Sequence, residues 1–244
     1  MATILTTRPT DENSLLTSEL LAEGFHIKEL PLLTVEPLTP TAQWFGIQQD
    51  VARFDFIIVV SPRAAHIGAE FLAQTSWPTS IEFWTPGNKT CAILKKFGIV
   101  AHTPSAASNA QAIADCLKPR CKNKRILIWK GVGGRPVLRE QLAAQASEFM
   151  EWNLYERKPT HYSIHDLAKT FDSAIDAAII TSAAALENYL KIASDAQINL
   201  QKTVVLVPSK RIAVLAEQHG IKTYITNGAS NAAFVQGAKT IYRS

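Results

Sequence analysis

The chain repeats itself, and a fold for it has to accommodate that repeat. Shifted by 122 residues, half of its 244, it brings Ile4-Leu5 onto Ile126-Leu127, Leu16 onto Leu138 and Leu20 onto Leu142. In the same register Leu32 meets Leu154, Pro37 meets Pro159, Pro86 meets Pro208 and Gly98-Ile99 meets Gly220-Ile221. At a shift of 121, FDFIIVVSPRAA overlies IDAAIITSAAAL so that Asp55 meets Asp176 and Ser61 meets Ser182. The string AASNA (106–110) falls on GASNA (228–232). Matches among Leu and Ala arise cheaply in any chain built of strands and helices. A near-identical five-residue string in the register of the other matches does not, and it points to duplication of one α/β unit.

Each half offers the same succession. An apolar strand (TILTT or RILIW) precedes a helical stretch with leucines four apart. Next comes an extended segment ending in proline, LPLLTVEP or NLYERKP. A continuous apolar strand follows, FIIVV or AAIIT, then a small-residue helix, a further strand, and a helix ending at Gly98 or Gly220. Strands apolar on both faces and alternating with helices predict parallel sheets covered on both sides. The fold class is therefore α/β, with two doubly wound parallel-sheet domains related by internal duplication and joined by a two-stranded connector. The pattern leaves open whether the domains are consecutive halves or exchange elements across the connectors.

Composition narrows the function classes. Apolar residues at 47% and charged ones at 19% supply a sizeable core and argue against a disordered chain. No apolar run approaches the roughly 20 residues of a membrane-spanning helix. Lys plus Arg exceed Asp plus Glu by 25 to 21, a mild and scattered surplus that suits an acidic small molecule better than duplex DNA. Cys91, Cys116 and Cys121 lack CxxC spacing and read as free thiols of a reducing compartment. The opening MATILTTRP runs into a strand without a signal or transit segment, so a cytoplasmic protein is expected. Nothing suggests a large exposed apolar seam, so monomer is the default.

In open parallel sheets, ligands bind beyond the carboxyl ends of the strands, where loops lead into helix N-termini. Those ends carry Arg8 after the first strand, Ser61 and Arg63 after FIIVV, and Gly87, Lys89 and Thr90 in PGNKT. In the second half they carry Lys130 and Gly131, Thr181 and Ser182, Ser209 and Arg211, and Asn227. None is a carboxylate. Hydroxyls, cations and free helix N–H groups suit a ligand with several negative groups. Taken singly, Ser61, Ser108, Ser182 and Ser230 are equally good helix N-caps, worth about 1 kcal/mol each.

Several familiar chemistries are missing. GVGGRP (131–136) follows a strand but sets proline where a dinucleotide fingerprint needs its third glycine, and no Walker A lysine follows. His161 and His165 stand four apart in HYSIH without the glutamate of a zinc protease helix, which favours a surface or loop role over a metal. There is no GxSxG elbow, and aromatics are not interleaved with basic runs. Tyr155, in NLYERKP, stands apart as a phenol on a connecting segment. It reads either as a strand aromatic packed on a domain or as a group that donates a proton to a departing oxygen.

These segments together resemble the uroporphyrinogen-III synthase family over nearly the full chain. The resemblance rests on the opening strand with Arg8-Pro9, on VVSPRAA, PGNKTCAILKKFGI and ILIWKGVGGRPVLREQL, and on LYERKP, AAIITSAAALENYL and VLVPSKRIAVLAEQHGI. Two positions depart from the pattern: Val60 stands where a hydroxyl often precedes the serine, and Pro208-Ser209 replaces the glycine turn seen at Gly87. The resemblance implies one α/β domain from residues 1–35 and 160–244 and another from 38–152, with 33–38 and 153–159 as a connecting β-ladder and substrate held in the cleft between domains. It implies a cyclising lyase that needs neither metal nor organic cofactor. Its substrate would be hydroxymethylbilane, a linear tetrapyrrole whose rings carry carboxylates, closed with loss of water and inversion of ring D to uroporphyrinogen III. Tyr155 would then help the hydroxyl leave, and Arg8, Ser61, Arg63, Lys89, Thr90, Lys130, Ser182, Ser209 and Arg211 would hold carboxylates. Two rival readings share the strand-end chemistry: a non-catalytic binder of an anionic metabolite, and a nucleotide-dependent transferase using GVGGRP.

Overall fold

The computed structural model describes residues 1–73, 77–105 and 109–242. In chain order the elements are β1 (Thr3–Thr6), α1 (Thr10–Ala22), β2 (His26–Glu29), β3 (Leu33–Pro37), α2 (Ala42–Gln49), β4 (Phe56–Val59), α3 (Pro62–Phe71) and β5 (Glu82–Trp84). They continue as α4 (Asn88–Lys96), β6 (Ala101–His102), α5 (Ala110–Leu117), β7 (Arg125–Gly131), α6 (Val137–Leu142), β8 (Glu148–Pro159) and α7 (Ile164–Thr170). The last are β9 (Ala177–Ile179), α8 (Ala183–Asp195), β10 (Val204–Val207), α9 (Lys210–Glu217), β11 (Lys222–Ile225) and α10 (Asn231–Tyr242).

Two compact units result, one of Met1–Val35 with Lys158–Ser244, the other of Glu36–Arg157. The first holds a sheet of order β11-β10-β9-β1-β2, the second a sheet of order β3-β8-β7-β4-β5-β6. The question the repeat left open is thereby answered. Each half of the chain gives strands to both units, so the duplicated units exchange elements instead of lying in succession.

The duplication extends to the pairing register. Ile4 faces Ala177 in the first sheet and Ile126 faces Phe56 in the second; Ile4 faces Ile27, and Ile126 faces Phe149. Val204 faces Ala177 as Glu82 faces Phe56, and Val205 faces Thr223 as Phe83 faces Ala101. These pairs are related by the shifts of 121 and 122 found in the sequence. A slip of one residue would turn every side chain to the other face, so a shared register means a shared core pattern. All these pairs are parallel. The first sheet has the 2-1-3-4-5 order of doubly wound folds and the second, without β3, the order 3-2-1-4-5, with switch points between β1 and β9 and between β7 and β4.

Burial on both faces explains the continuous apolar strands. In the first unit Leu5, Ala178, Val205 and Val207 pack into one core while their neighbours Ile4, Ala177, Ile179 and Leu206 pack into another across the sheet. In the second, Phe56, Ile58, Ile126 and Ile128 share a core with α5 and α6. The opposite face carries edge-to-face contacts of Trp152 with Trp44, Phe71 and Trp129. The four-spaced leucines of α1 and α6 (Leu16, Leu20, Leu138, Leu142) are all buried. Gly98 and Gly220 end α4 and α9 at φ of 74° and 72°, a left-handed turn that side chains disfavour.

The proline-ended segments behave differently in the two halves. In the second half β8 is a single strand of 12 residues that starts at Glu148, so NLYERKP continues a sheet strand. In the first half the chain breaks into β2 and β3, with Pro31 between them. Proline offers no N–H to a ladder, whereas its counterpart, Asn153, does. His165 lies in α7, whose N-cap is Ser163, and the described residues contain no cluster of three metal-ligating side chains.

Candidate active site

The strand-end residues singled out in the sequence fall into two groups, one per unit. In the first unit Arg8 follows β1, Thr181 and Ser182 follow β9, Ser209 and Arg211 follow β10, and Asn227 follows β11. Ser182 caps α8 by accepting the Ala185 N–H at 3.1 Å, and Ser230 accepts the N–H of Ala233 at 3.2 Å. Ser209 occupies the N-cap position of α9 without a side-chain cap bond. Arg8 donates to the Ala229 carbonyl and to Asn231 Oδ1, both at 2.6 Å, and stacks over Phe234. It thus braces the GASNA loop. In the other unit Ser108 lies outside the described residues, and Asn109 caps α5 through the N–H of Ala112.

The second unit gathers its group around a cavity of about 270 Å³, lined by Val60, Ser61, Lys130, Gly131, Glu151, Tyr155, Arg157 and the 132–136 loop among others. It opens beyond the carboxyl ends of β4 and β7, the switch point at which doubly wound sheets bind ligands. Gly87, Lys89 and Thr90 line a shallower hollow that shares Val60. Thr90 is buried there, while Lys89 is exposed. Arg63, at the start of α3, borders neither lining.

A register slip positions Tyr155. Lys130 pairs with Asn153, yet Gly131 pairs with Tyr155 where unbroken pairing would bring Leu154. Such bulges re-aim a side chain and recur beside active sites. The phenol ring packs against Gly131: a Cβ there would meet Tyr155 Cε2 at 2.5 Å, closer than real carbon atoms approach. The first glycine of GVGGRP therefore admits an aromatic ring. Gly133 and Gly134 turn the loop at φ of 76° and 88°.

Tyr155 is 3% exposed, and its Oη lies 3.1 Å from Ser61 Oγ. Ser61 Oγ also accepts the N–H of Ala64, so one hydroxyl caps α3 and holds the phenol. The Arg157 guanidinium sits 5.5 Å from the ring centroid.

Charge in the cavity is unbalanced toward the positive. Lys130, Arg135, Arg139 and Arg157 line it against the single carboxylate of Glu151. Glu151 accepts from Lys130 Nζ at 3.3 Å and from Arg139 Nε at 3.2 Å. Burial alone would raise the Glu151 carboxyl, but the hydrogen bonds and charges of Arg139 and Lys130 outweigh it and hold the group below the usual range. Sequence reasoning missed Glu151, Arg135, Arg139 and Arg157 as lining residues. Arg135 and Arg139 follow the GVGG run within a few residues and were within reach of the strand-end rule. Glu151 sits mid-strand, and only the pairing of β7 with β8 brings it to Lys130.

A family model described as uroporphyrinogen-III synthase HemD matches residues 14–236. The uroporphyrinogen-III synthase of Proteus mirabilis is 24% identical over 177 residues, spanning 70% of this chain and 88% of its own length. That of Synechococcus elongatus is 26% identical over 200 residues, spanning 78% and 74%. Among solved structures, uroporphyrinogen-III synthetase from Helicobacter pylori gives a TM-score of 0.66 at 15% identity, over 99% of this chain and 100% of that one. A mutant uroporphyrinogen III synthase from Thermus thermophilus gives 0.63 at 14%, over the whole of both chains. These two likenesses are of fold.

Proposed function

The chain belongs to the uroporphyrinogen-III synthase family, and on that footing we propose that the hydroxyl of its substrate departs in the cavity at the carboxyl ends of β4 and β7, with Tyr155 as the proton donor. The family's enzymes are cyclising lyases of haem biosynthesis that close hydroxymethylbilane to uroporphyrinogen III. Loss of water, driven by the pyrrole nitrogen's electron pair, leaves a cationic azafulvene. Ring D then attacks through its substituted carbon, and the spiro intermediate fragments and recloses with that ring inverted.

The observation that carries this reading is the phenol itself, re-aimed by a bulge, held by Ser61 and set among cations. At about 270 Å³ the cavity is smaller than the ~300–1,000 Å³ of drug-sized sites, which suits one end of the tetrapyrrole and not all four rings. The hydroxymethyl-bearing ring enters it, its acid arms meeting Lys130, Arg135 and Arg157. The O–H of Tyr155 donates to the leaving oxygen as the C–O bond breaks. Arg8, Arg63, Lys89, Thr90, Thr181, Ser182, Ser209, Arg211, Asn227 and the peptide N–H of Gly87 take further carboxylates. Each such hydrogen bond contributes about 1.5–3 kcal/mol, so no one of them is decisive.

The reading includes two α/β domains, 1–35 with 160–244 and 38–152, connected through 33–38 and 153–159. It takes the enzyme as a cytoplasmic monomer that uses side chains alone, without metal, cofactor or nucleic acid. Among the described residues no helix is long and apolar enough to cross a membrane. The test is Tyr155→Phe, which keeps the ring over Gly131 and removes only the hydroxyl. Type III formation should slow by about tenfold or more with the circular dichroism spectrum retained. An unchanged rate removes the role.

A further inference from the structure

The geometry points to Ser61 as the residue that positions the Tyr155 proton, and not as a ligand of a substrate carboxylate. The inference rests on the role just proposed for Tyr155 and adds to it a hydrogen-bond direction. Ser61 Oγ has one proton to give and two lone pairs. One lone pair accepts the N–H of Ala64 at 3.1 Å, as the cap of α3, a helix of 10 residues. The other contact of that oxygen is Tyr155 Oη at 3.1 Å, and the phenol is 3% exposed. When Ser61 donates its proton to Tyr155 Oη, the phenol's own proton has to point elsewhere, into the cavity that both residues line. The chain then runs from the Ala64 N–H to Ser61 Oγ, from Ser61 O–H to Tyr155 Oη, and from Tyr155 O–H to the leaving hydroxyl.

Each link strengthens the next. The peptide N–H groups at the start of α3 withdraw charge from Ser61 Oγ and make its hydroxyl a better donor. As the C–O bond breaks, the proton passes from Tyr155 to the departing oxygen, water leaves, and the pyrrole nitrogen supplies the electron pair that forms the azafulvene cation. The phenolate left behind is met at once by the Ser61 O–H, a bond that is stronger to the charged oxygen than to the neutral phenol. The proton that restores the phenol is the one the ring D α-carbon loses as that ring regains aromaticity.

The repeat sharpens the assignment. Ser182, the counterpart of Ser61, caps its helix in the same way through Ala185, but the residue in the place of Tyr155 is Leu33. Capping is thus common to both units, whereas the bond to a phenol belongs to Ser61 alone of the two.

Steady-state kinetics of type III formation test the inference in Ser61→Ala, Ser61→Thr, Tyr155→Phe and the double variant Ser61→Ala/Tyr155→Phe. Ser61→Ala should lower kcat about tenfold and leave KM within about twofold, since the lost bond tightens only in the transition state. Ser61→Thr retains the hydroxyl and the cap and should recover kcat to within about threefold of wild type. In the Tyr155→Phe background the Ser61→Ala change should have no further effect on kcat. Asn109→Ala, which removes the cap of α5, shows whether loss of a cap by itself moves kcat; it should not. A rise in KM at constant kcat in Ser61→Ala, or equal losses with and without the Tyr155 hydroxyl, would overturn the inference and return Ser61 to carboxylate binding or capping. A Tyr155→Phe variant as fast as wild type would instead remove the reading on which the inference stands.

Discussion

At the scale of single residues the cavity depends on two substitutions of charge and size that the chain does not make. Gly131 has no side chain, so the Tyr155 ring can lie against the backbone of β7. Glu151 is the one carboxylate facing the cations of the cavity, and it ties down Lys130, which is 16% exposed, together with Arg139. The Glu151 carboxyl titrates below its ordinary value of 4.5, so it binds fewer protons in the folded chain than in the unfolded one near that pH. Its stabilisation is therefore complete above about pH 4.5 and is lost as pH falls through the lower folded value. Urea unfolding at a series of pH values should show Glu151→Gln less stable than wild type by on the order of 1 kcal/mol at pH 7, with the gap closing on acidification. A gap that stays constant down to pH 3 contradicts the assigned ion pairs. Residues of this kind mark the limit of what a sequence discloses. Ser61, Lys130, Gly131 and Tyr155 were recognisable because strand ends and connector segments have local signatures. Glu151 was not, because its partners stand 21 and 12 residues away and meet it only through strand pairing.

At the scale of elements the decisive feature is β8. It carries Trp152 into the aromatic stack on one side of the sheet and Glu151 and Tyr155 to the cavity, so core and site are fixed by one strand. Trp152 is fully buried against Trp44, Phe71 and Trp129. Trp152→Ala should cost about 3–5 kcal/mol in urea unfolding, by lost burial and by the void left behind. Type III formation should fall as well at a temperature where the variant is folded, because β8 loses its anchor. Full stability in that variant would show that the stack does not hold the strand. The element pattern was largely readable: strands apolar on every residue, helices ending at Gly98 and Gly220, and leucines four apart each have a direct physical cause. The proline-ended segments were harder. They look alike in register, yet Pro31 splits one into β2 and β3, while the other runs unbroken for 12 residues. The bulge opposite Gly131 left no mark in the sequence at all.

At the scale of the whole chain the repeat and the charge carry the argument. The shifts of 121 and 122 predict equivalent strand pairs, and the sheets deliver them, but they say nothing of which strand joins which unit. The exchange of elements between halves follows from extended segments that cross from one unit to the other at Val35–Glu36 and Arg157–Lys158, points without a composition shift. The net charge of +4 is small, yet the cavity concentrates cations from Lys130 to Arg157. A polycarboxylate drawn by that field should bind more weakly as salt rises. Between about 0.01 and 0.15 M, where the screening length drops from ~30 to ~8 Å, kcat/KM should fall severalfold with kcat nearly constant. A salt-independent kcat/KM would mean that the cations do not meet the substrate.

The most direct measurement is the isomer composition of the product. Hydroxymethylbilane generated enzymatically and given to the purified protein should be converted mainly to the type III isomer, well ahead of its own spontaneous closure. Oxidation of the product to porphyrin and chromatographic separation of the isomers reads the ratio. Type I alone, at a protein concentration sufficient to bind the substrate, would contradict the account.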